Sequence, residues 1–249
     1  MRICCVSDTH GLESSITKHM PQADMVIHAG DFTRVGKDHE IITFLEWWNN
    51  LDYKFKCLVG GNHDWGLQLA PSWFESEFAA RMKGAGKTDF YLNDSGVEIE
   101  GIKFYGSPWT PRFFDWAFNL REHSPANDNM AEHWGPSRVK YTAEECWGKI
   151  PHETNVLITH GPAEFIGDEL EGGGNVGCPV LADYLSNMGP NLKLHVSGHV
   201  HSGYGQYAAG YSWPRGIGRA YNPYIAVNAA VCTEQYRPKN KPIVVEINI

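Results

Sequence analysis

The sequence predicts an α/β fold built mainly from parallel strands, and two observations support this prediction. Five short apolar runs, which are typical of buried strands, each end in a group of Asp, Asn or His residues. Segments with helical spacing of apolar residues lie between the first of these runs. The chain of 249 residues is long enough for one large domain, and no linker, charge block or internal repeat divides it. We therefore predict that residues 1–249 form a single domain.

The first part of the chain alternates predicted strands and helices. The helix predicted at 38–49 places Ile41, Leu45 and Trp48 on one face, and the helix that begins at Pro71 ends before Gly84. This order implies parallel strands with helices outside the sheet. The predicted strands are 2–6, 25–28 and 55–59, and the predicted helices are 12–20, 38–49 and 71–83.

From residue 88 onward the pattern changes to short strands. Residues 93–96 and Gly101 have the composition of turns, and Gly101 joins two short runs in a predicted hairpin. An aromatic-rich insertion without clear periodicity follows at about 107–134. The remaining predicted elements are strands at 89–92, 97–100, 102–105, 155–159, 192–196, 204–208, 224–228 and 243–249, and helices at 142–149 and 178–187.

Polar residues with the chemistry of metal ligands follow five of these strands. The carboxyl ends of parallel strands meet at one edge of a sheet, so we expect these groups to converge there. Two divalent ions that act on a phosphoryl group need carboxylate, amide and imidazole ligands on several rigid elements. A lone Asp after a strand is more often a helix N-cap, but five such strand ends favour a metal site. The groups are Asp8-Thr9-His10, Gly30-Asp31, Gly61-Asn62-His63-Asp64, His160-Gly161 and Gly198-His199-Val200-His201.

In their order and spacing, these groups resemble the signature of the calcineurin-like metallophosphoesterases. Further segments are similar to the metallophosphoesterase-domain-containing subfamily, and the resemblance covers nearly all of the chain. It implies a four-layer α/β/β/α sandwich, the metallophosphatase fold, in which two mixed sheets are flanked by helices. The further segments are His28-Ala29-Gly30-Asp31-Phe32-Thr33, Gly106-Ser107-Pro108-Trp109, Trp116-Ala117-Phe118-Asn119 and Thr159-His160-Gly161-Pro162.

The resemblance also implies a site with two divalent transition-metal ions, for which Mn, Fe, Ni and Zn are equally suitable. Asp31 is the expected bridging ligand. Asp8, His10 and His201 would complete one ion, and Asn62, His160 and His199 the other. Two aspartates against two divalent ions leave the site net positive, so it could hold an anionic phosphate.

The residues that follow Asn62 are the expected catalytic pair. The resemblance makes His63 the general acid at the leaving oxygen. We expect Asp64 to hold the His63 ring as imidazolium, with capping of the following segment as the alternative. Attack by a metal-bridging hydroxide would then hydrolyse the ester.

Members of the subfamily act on cyclic nucleotides and related phosphodiesters, so we expect hydrolysis of 2′,3′- or 3′,5′-cyclic nucleotides. Trp109, Arg112, Phe113 and Arg121 of the insertion are candidate substrate contacts, although these aromatics could equally roof the sheets. After Pro162 the chain departs from the subfamily pattern, at Ala163-Glu164-Phe165 and at Glu169 and Glu171, which leaves the nucleotide preference open. The alternatives are a phosphomonoesterase for nucleotides or phosphoproteins, a nuclease, or a non-catalytic binding module.

Composition limits the partners of the protein. The net charge of -8 and the isoelectric point near 5.8 provide no basic stripe for an extended nucleic acid, so a small phosphate ester is the expected substrate. The six cysteines form no CxxC pair, and the chain opens directly into a predicted strand. No apolar run approaches the about 20 residues of a membrane span. We therefore predict a cytoplasmic protein with reduced thiols and no membrane partner.

Overall fold

The computed structural model describes residues 1–121, 141–211 and 220–248. These residues form two β-sheets. The strands, in chain order, are β1 Arg2–Val6, β2 Met25–Ala29, β3 Phe55–Val59, β4 Asp89–Tyr91, β5 Ser95–Ile99, β6 Ile102–Ser107, β7 Val156–Thr159, β8 Leu194–Ser197, β9 Gly205–Tyr211, β10 Ala220–Asn228 and β11 Ile243–Glu246.

Both sheets are mixed. The first has the order β11-β1-β2-β3-β4, in which β1 to β4 are parallel and β11 is the antiparallel edge. The second has the order β5-β6-β7-β8-β10-β9, in which the central strands are parallel and both edge strands are antiparallel. Gly101, with a φ of 81°, makes the predicted hairpin turn between β5 and β6.

Helices flank the two sheets, which confirms the predicted four-layer α/β fold. Short 3-10 turns at Thr17–His19, Gly189–Asn191 and His201–Gly203 complete the regular structure of the described residues. A capping box fixes the start of one helix, since the Thr142 hydroxyl accepts from the Glu145 amide and the Glu145 carboxylate accepts from the Thr142 amide. The helices are α1 Glu13–Ile16, α2 Asp38–Asn49, α3 Trp65–Leu69, α4 Pro71–Arg81, α5 Ala143–Trp147 and α6 Pro179–Asn187.

Alternate residues of the strands enter two hydrophobic layers. In β1, Ile3 and Cys5 join the cluster shared with Phe104 and Val196 of the second sheet. Cys4, between them, joins the layer that contains the helix residues. Opposite orientation of successive strand residues explains this division. Burial of each large apolar side chain contributes about 1.5–3 kcal/mol, so the first cluster holds the two sheets together and the second holds the helices against them.

Several elements differ from the sequence prediction. The helix predicted at 12–20 is α1 followed by the 3-10 turn Thr17–His19, and the strand predicted at 224–228 begins at Ala220. Two further differences lie at glycines that permit close packing. Strand β5 begins at Ser95, inside the predicted turn 93–96, since a Cβ on Gly96 would lie 2.8 Å from the Phe104 carbonyl of the paired strand. Helix α3 was not predicted. It contains Gly66, where a Cβ would lie 2.5 Å from Ile41 of α2. Glycine in both places permits a close approach of backbone.

The aromatic insertion predicted at 107–134 is described only as far as Arg121, and its remainder lies outside the described residues. The last residue of the strand predicted at 243–249 also lies outside them. No helix within the described ranges is both long enough and apolar enough to cross a bilayer.

Candidate metal centre

The five predicted ligand groups converge, but they come from two sheets. Strands β1, β2 and β3 of the first sheet and β7 and β8 of the second end beside one another at the same edge of the sandwich. The expectation of one sheet edge was therefore wrong in this detail. Each sheet supplies part of the ligand set, because the sheets face one another and their carboxyl edges lie side by side.

Asp8, His10 and His201 form the first group of potential ligands. The Asp8 Oδ1 atom lies 3.3 Å from His201 Nε2 and 3.9 Å from His10 Nε2. The two ring nitrogens lie 3.3 Å from one another. A hydrogen bond from the second sheet's ligand loop orients Asp8, since both its carboxylate oxygens accept from the backbone amide of His199, at 3.2 and 3.0 Å.

Asp31, His160 and His199 form a second group, and Asn62 lies within it. The Asn62 Oδ1 atom is 2.8 Å from His160 Nε2 and 2.7 Å from His199 Nδ1. The Asp31 Oδ2 atom lies 3.3 Å from His160 Nε2 and 4.0 Å from His10 Nε2. Asp31 therefore stands between the two groups and can serve both.

The hydrogen bonds around the rings test whether this cluster suits cations. His10, His160 and His201 each donate from Nδ1 to a backbone carbonyl, those of Thr33, Ala29 and Thr233 at 3.2, 2.8 and 3.0 Å. A carbonyl only accepts, so the neutral form of each ring presents an unprotonated Nε2 to the cluster. Lone pairs of nitrogen, carboxylate oxygen and amide oxygen then face one another at 2.7–3.9 Å. Such a donor set requires a cation or bound protons among its members.

The pKa values of the ligand histidines and aspartates also indicate that the cluster needs a cation or bound protons. Burial opposes ionisation of His160 and His201, but Asp31 and Asp8 outweigh it and raise each pKa to about 9. Burial acts against ionisation of the two carboxyl groups as well, yet the adjacent imidazolium groups hold both pKa values well below their usual range. Burial lowers the pKa of His199 to about 3. Protons on two of the rings thus balance the carboxylates until an ion displaces them.

Backbone strain accompanies the ligands. Asp8, His10, Asp31 and His199 have φ values of 55°, 47°, 56° and 66°, in the left-handed region that residues other than glycine rarely adopt. Each such residue costs on the order of 1–3 kcal/mol, and the surrounding hydrogen bonds must supply this energy. The turns that begin at the strand ends aim the side chains inward in return.

His63 lies beside the cluster as a third type of participant. Its Nδ1 donates to the Arg34 carbonyl at 2.6 Å, and its Nε2 lies 3.9 Å from Asp31 Oδ2. The ring stacks on Trp116 with a centroid distance of 4.0 Å and an interplanar angle of 25°. The ring also makes edge contacts with His10 at 4.7 Å and with Tyr236 at 6.1 Å. The ring is therefore fixed with one nitrogen directed at the centre.

Comparison with known proteins agrees with this geometry. The family model for calcineurin-like phosphoesterase matches residues 1–203. The chain belongs to the calcineurin-like phosphoesterase family. It is 33% identical over 275 residues to the human and mouse proteins named metallophosphoesterase domain-containing protein 1, across 99% of this chain and 71% of each relative. A crystal structure of the Thermus thermophilus protein TT1561 shares the fold, with a TM-score of 0.56 and 13% identity over 91% of this chain and 88% of that one.

Membership of the family establishes the coarse chemistry. The calcineurin-like phosphoesterases are metal-dependent hydrolases that act on phosphate esters, and the Asp and His groups described above could hold the ions.

In this calcineurin-like phosphoesterase, Asp64 does not contact the His63 ring, contrary to the expectation from sequence. Its fully buried carboxylate accepts from the backbone amides of Asp31, Thr33 and Gly61 at 2.9, 2.9 and 2.8 Å, and from the Thr33 hydroxyl at 2.7 Å. The Arg34 carbonyl holds the ring instead. Sequence adjacency misled the prediction, because the two neighbouring side chains bond different backbone groups. Asp64 ties together the loops that follow β2 and β3.

The candidate substrate contacts divide into two kinds. Trp109 is only 5% exposed and donates from Nε1 to Asp94, so it roofs the sheet rather than facing a substrate. The Arg112 guanidinium lies 3.8 Å from the Asp115 carboxylate, and the Arg121 amide donates to the Tyr141 carbonyl. Phe113 is 46% exposed, and its ring lies 5.7 Å from that of His199. Phe113 is thus the one candidate of these four for which a ring contact with the centre is described.

Two aromatic residues that lie beside the metal centre were not identified from the sequence. Trp116 stacks on His63, and Tyr236 lies 4.8 Å from His10 and 5.6 Å from His201. Trp116 stood among the aromatics of the insertion, but nothing in its spacing marked it as a site residue. Tyr236 follows the last ligand by 35 positions in a polar turn, so no periodic or motif signal was available.

Proposed function

We propose that the protein is a dinuclear metal-dependent phosphodiesterase that hydrolyses small esters, with cyclic nucleotides as the first substrate class. The observation that carries the proposal is the position of Asp31, whose Oδ2 atom lies between His160 Nε2 at 3.3 Å and His10 Nε2 at 4.0 Å. One carboxylate shared by two ligand groups is the arrangement that a pair of ions needs.

Two divalent ions, of Mn, Fe, Ni or Zn, would be held by the residues around Asp31. When bound, the pair would neutralise charge on the phosphoryl group and supply a nucleophile at neutral pH. Asp31 would serve both ions. Asp8, His10 and His201 would hold one of them, and Asn62, His160 and His199 the other.

His63 is the proposed general acid. Its Nδ1–H is committed to the Arg34 carbonyl, so the imidazolium form has its second proton on Nε2, the nitrogen that faces the centre. That proton can pass to the departing oxygen of the ester. Trp116 covers one face of the ring and excludes water from it. Asp64 acts as a positioning residue, since it holds the loops of Asp31 and Asn62 rather than the ring.

The negative net charge of the chain and the uncharged aromatic residues beside the centre favour a small diester as the substrate. A diester carries one negative charge and a monoester about two near neutral pH, while the chain carries a net charge of -8. Phe113, Trp116 and Tyr236, which contact the centre, are uncharged. A phosphomonoesterase is the second candidate, and the acidic balance counts against a nuclease. A non-catalytic module would lack ligands, whereas all the expected ligand types meet here.

The substrate class is tested by assaying the protein with added Mn²⁺ on 2′,3′- and 3′,5′-cyclic nucleotides, nucleoside monophosphates and single-stranded DNA. The proposal expects the highest kcat/KM on a cyclic nucleotide. Preference for monophosphates would replace it with the second candidate. Fewer than one bound transition ion per molecule after mild purification, together with no hydrolysis of any ester, would favour the binding module.

The acid role is tested with His63→Ala on two esters that differ in their leaving groups. A nitrophenyl group departs without a proton, whereas a ribose oxygen needs one, so the loss of kcat should be far larger for the ribose ester. The expected difference is on the order of 10²-fold or more. His152→Ala, at an exposed histidine outside the centre, is the matched control. Equal losses on both esters would remove the acid role.

We also propose a single domain and a reducing, cytoplasmic location. The ligands extend from Asp8 to His201 and come from both sheets, so no cut between them would leave the centre intact. All six cysteines are free and buried, which suits a reducing compartment. One cooperative unfolding transition would support the first proposal. Fractionation of cells that express the tagged protein would test the second.

A further inference from the structure

Tyr236 lies beside the centre and is half exposed. The ring makes edge contacts with His10 at 4.8 Å, His201 at 5.6 Å and His63 at 6.1 Å between centroids. The residue nevertheless remains 48% exposed. An aromatic residue that lies against three histidines of the centre and is still half exposed is accessible to a bound ester.

The loop that carries Tyr236 is built to hold this position. Tyr236 has a φ of 54°, which is a genuine outlier for a bulky residue. Its backbone amide donates at 2.7 Å to the Thr233 carbonyl, the same oxygen that accepts from His201 Nδ1 at 3.0 Å. The Thr233 amide in turn donates to the Arg237 carbonyl at 2.9 Å. One carbonyl therefore orients both a ligand histidine and the exposed ring, and strain of this kind is typical of functional sites.

The ring lies on a definite side of the centre. Tyr236 contacts His63, the proposed acid, whereas Phe113 contacts His199 of the other ligand group. The leaving group of an ester must lie next to His63 to receive its proton. Of these two exposed rings, Tyr236 is therefore the one next to the leaving group.

We propose that Tyr236 is a specificity-determining residue that receives a planar organic group of the substrate against its ring, on the leaving-group side of the ester. The inference rests on the proposed function, and it adds the class of substrate that the centre prefers: esters whose leaving group carries an aromatic ring or nucleobase. The rigid loop gives the contact without ordering cost, because the ring is already in place before the substrate binds.

The test measures binding, so it does not depend on turnover. Benzylphosphonate and cyclohexylmethylphosphonate have the same charge and similar size, but only the first is planar, and neither can be hydrolysed at its C–P bond. Titration calorimetry of the Mn²⁺-loaded protein should show about threefold to tenfold tighter binding of the benzyl compound. Tyr236→Phe should retain this preference, and Tyr236→Leu should reduce it to near equality.

Tyr184→Leu is the control, because Tyr184 is a partly buried tyrosine that stacks on His152 outside the centre. A preserved preference in Tyr236→Leu overturns the proposal. So does an equal loss in Tyr236→Phe, which would assign the effect to the hydroxyl. If the leucine variant loses its metal, Tyr236→Trp is tested instead. Its larger ring should increase the preference for the benzyl compound, and an unchanged preference refutes the proposal. Failure of the proposed function is a separate observation, the absence of hydrolysis by the unaltered protein.

Discussion

Replacement of Asp64 by asparagine changes one atom in the network that joins the two ligand loops. The Asp64 Oδ1 atom accepts from the amide and the hydroxyl of Thr33, and Oδ2 accepts from the amides of Asp31 and Gly61. An amide group has one oxygen, so its NH₂ must face two of these donors. The substitution preserves shape and volume, and it replaces an acceptor oxygen and its charge with a donor group.

The structure sets the size of the effect. If the NH₂ group faces Thr33, the Thr33 hydroxyl can still donate to the His63 carbonyl at 3.1 Å, so one buried amide loses its acceptor, at a cost of about 1–3 kcal/mol. We expect the lost acceptor to lower the free energy of unfolding by about 1–3 kcal/mol, and removal of a buried charge that is unfavourable above pH 7 offsets part of this loss. Burial and the Asp31 carboxylate raise the pKa of Asp64 to about 7, against the effect of its hydrogen-bond donors, so the comparison belongs at pH 8, where the carboxylate is ionised. Movement of the Asp31 loop should also weaken metal retention.

The assay is urea unfolding of the metal-free protein at pH 8, combined with metal analysis after loading and dialysis. Asp168→Asn is the matched control, because Asp168 is equally buried and accepts from the Gly177 amide and Asn175 Nδ2, in a loop that contributes no ligand. The control should lose stability but retain its metal. If Asp64→Asn unfolds at the wild-type urea midpoint and keeps its full metal content, the network does not hold the loops.

Three further predictions concern the metal centre. Metal loading at pH 7 should release protons from His160 and His201. Burial opposes ionisation of these rings, but the ligand aspartates raise each pKa to about 9, so both rings are protonated at pH 7 before the metal binds. Calorimetry in buffers of different ionisation enthalpy measures the release, and the absence of released protons contradicts the prediction. In the metal-free protein these imidazolium groups stabilise the fold fully below pH 6.5, and the melting temperature should fall as the pH rises through about 9. Gly30→Ala should cost about 2–5 kcal/mol and displace a ligand, since Gly30 has a φ of 101° and an added Cβ would lie 2.5 Å from His160 Nδ1. Gly86→Ala, at a φ of 71° with open space around it, isolates the backbone cost, and an equal loss in both variants by urea unfolding would refute the steric argument.

The first strands and the ligand types were accessible to sequence reasoning because their signals are local. Strand β3 was predicted with the observed bounds, since the apolar run of 55–59 stops at two glycines. His28 and His195 lie inside apolar runs of the sequence and are buried. Each now proves to bond a threonine adjacent to a ligand, Thr9 at 3.1 Å and Thr159 at 2.7 Å. Those hydrogen bonds depend on pairing between distant elements and were beyond the sequence.

By itself the sequence determined which residues end the strands, and hence the donor atoms that could meet at the sheet edge. The tertiary structure alone decided that two sheets share the centre, that Asp64 binds loops rather than His63, and that Tyr236 stands beside the ligands. The physical reason is the range of the interactions. Apolar periodicity and turn composition act over a few residues, whereas the direction of a side chain after a turn depends on backbone hydrogen bonds between segments far apart in the chain.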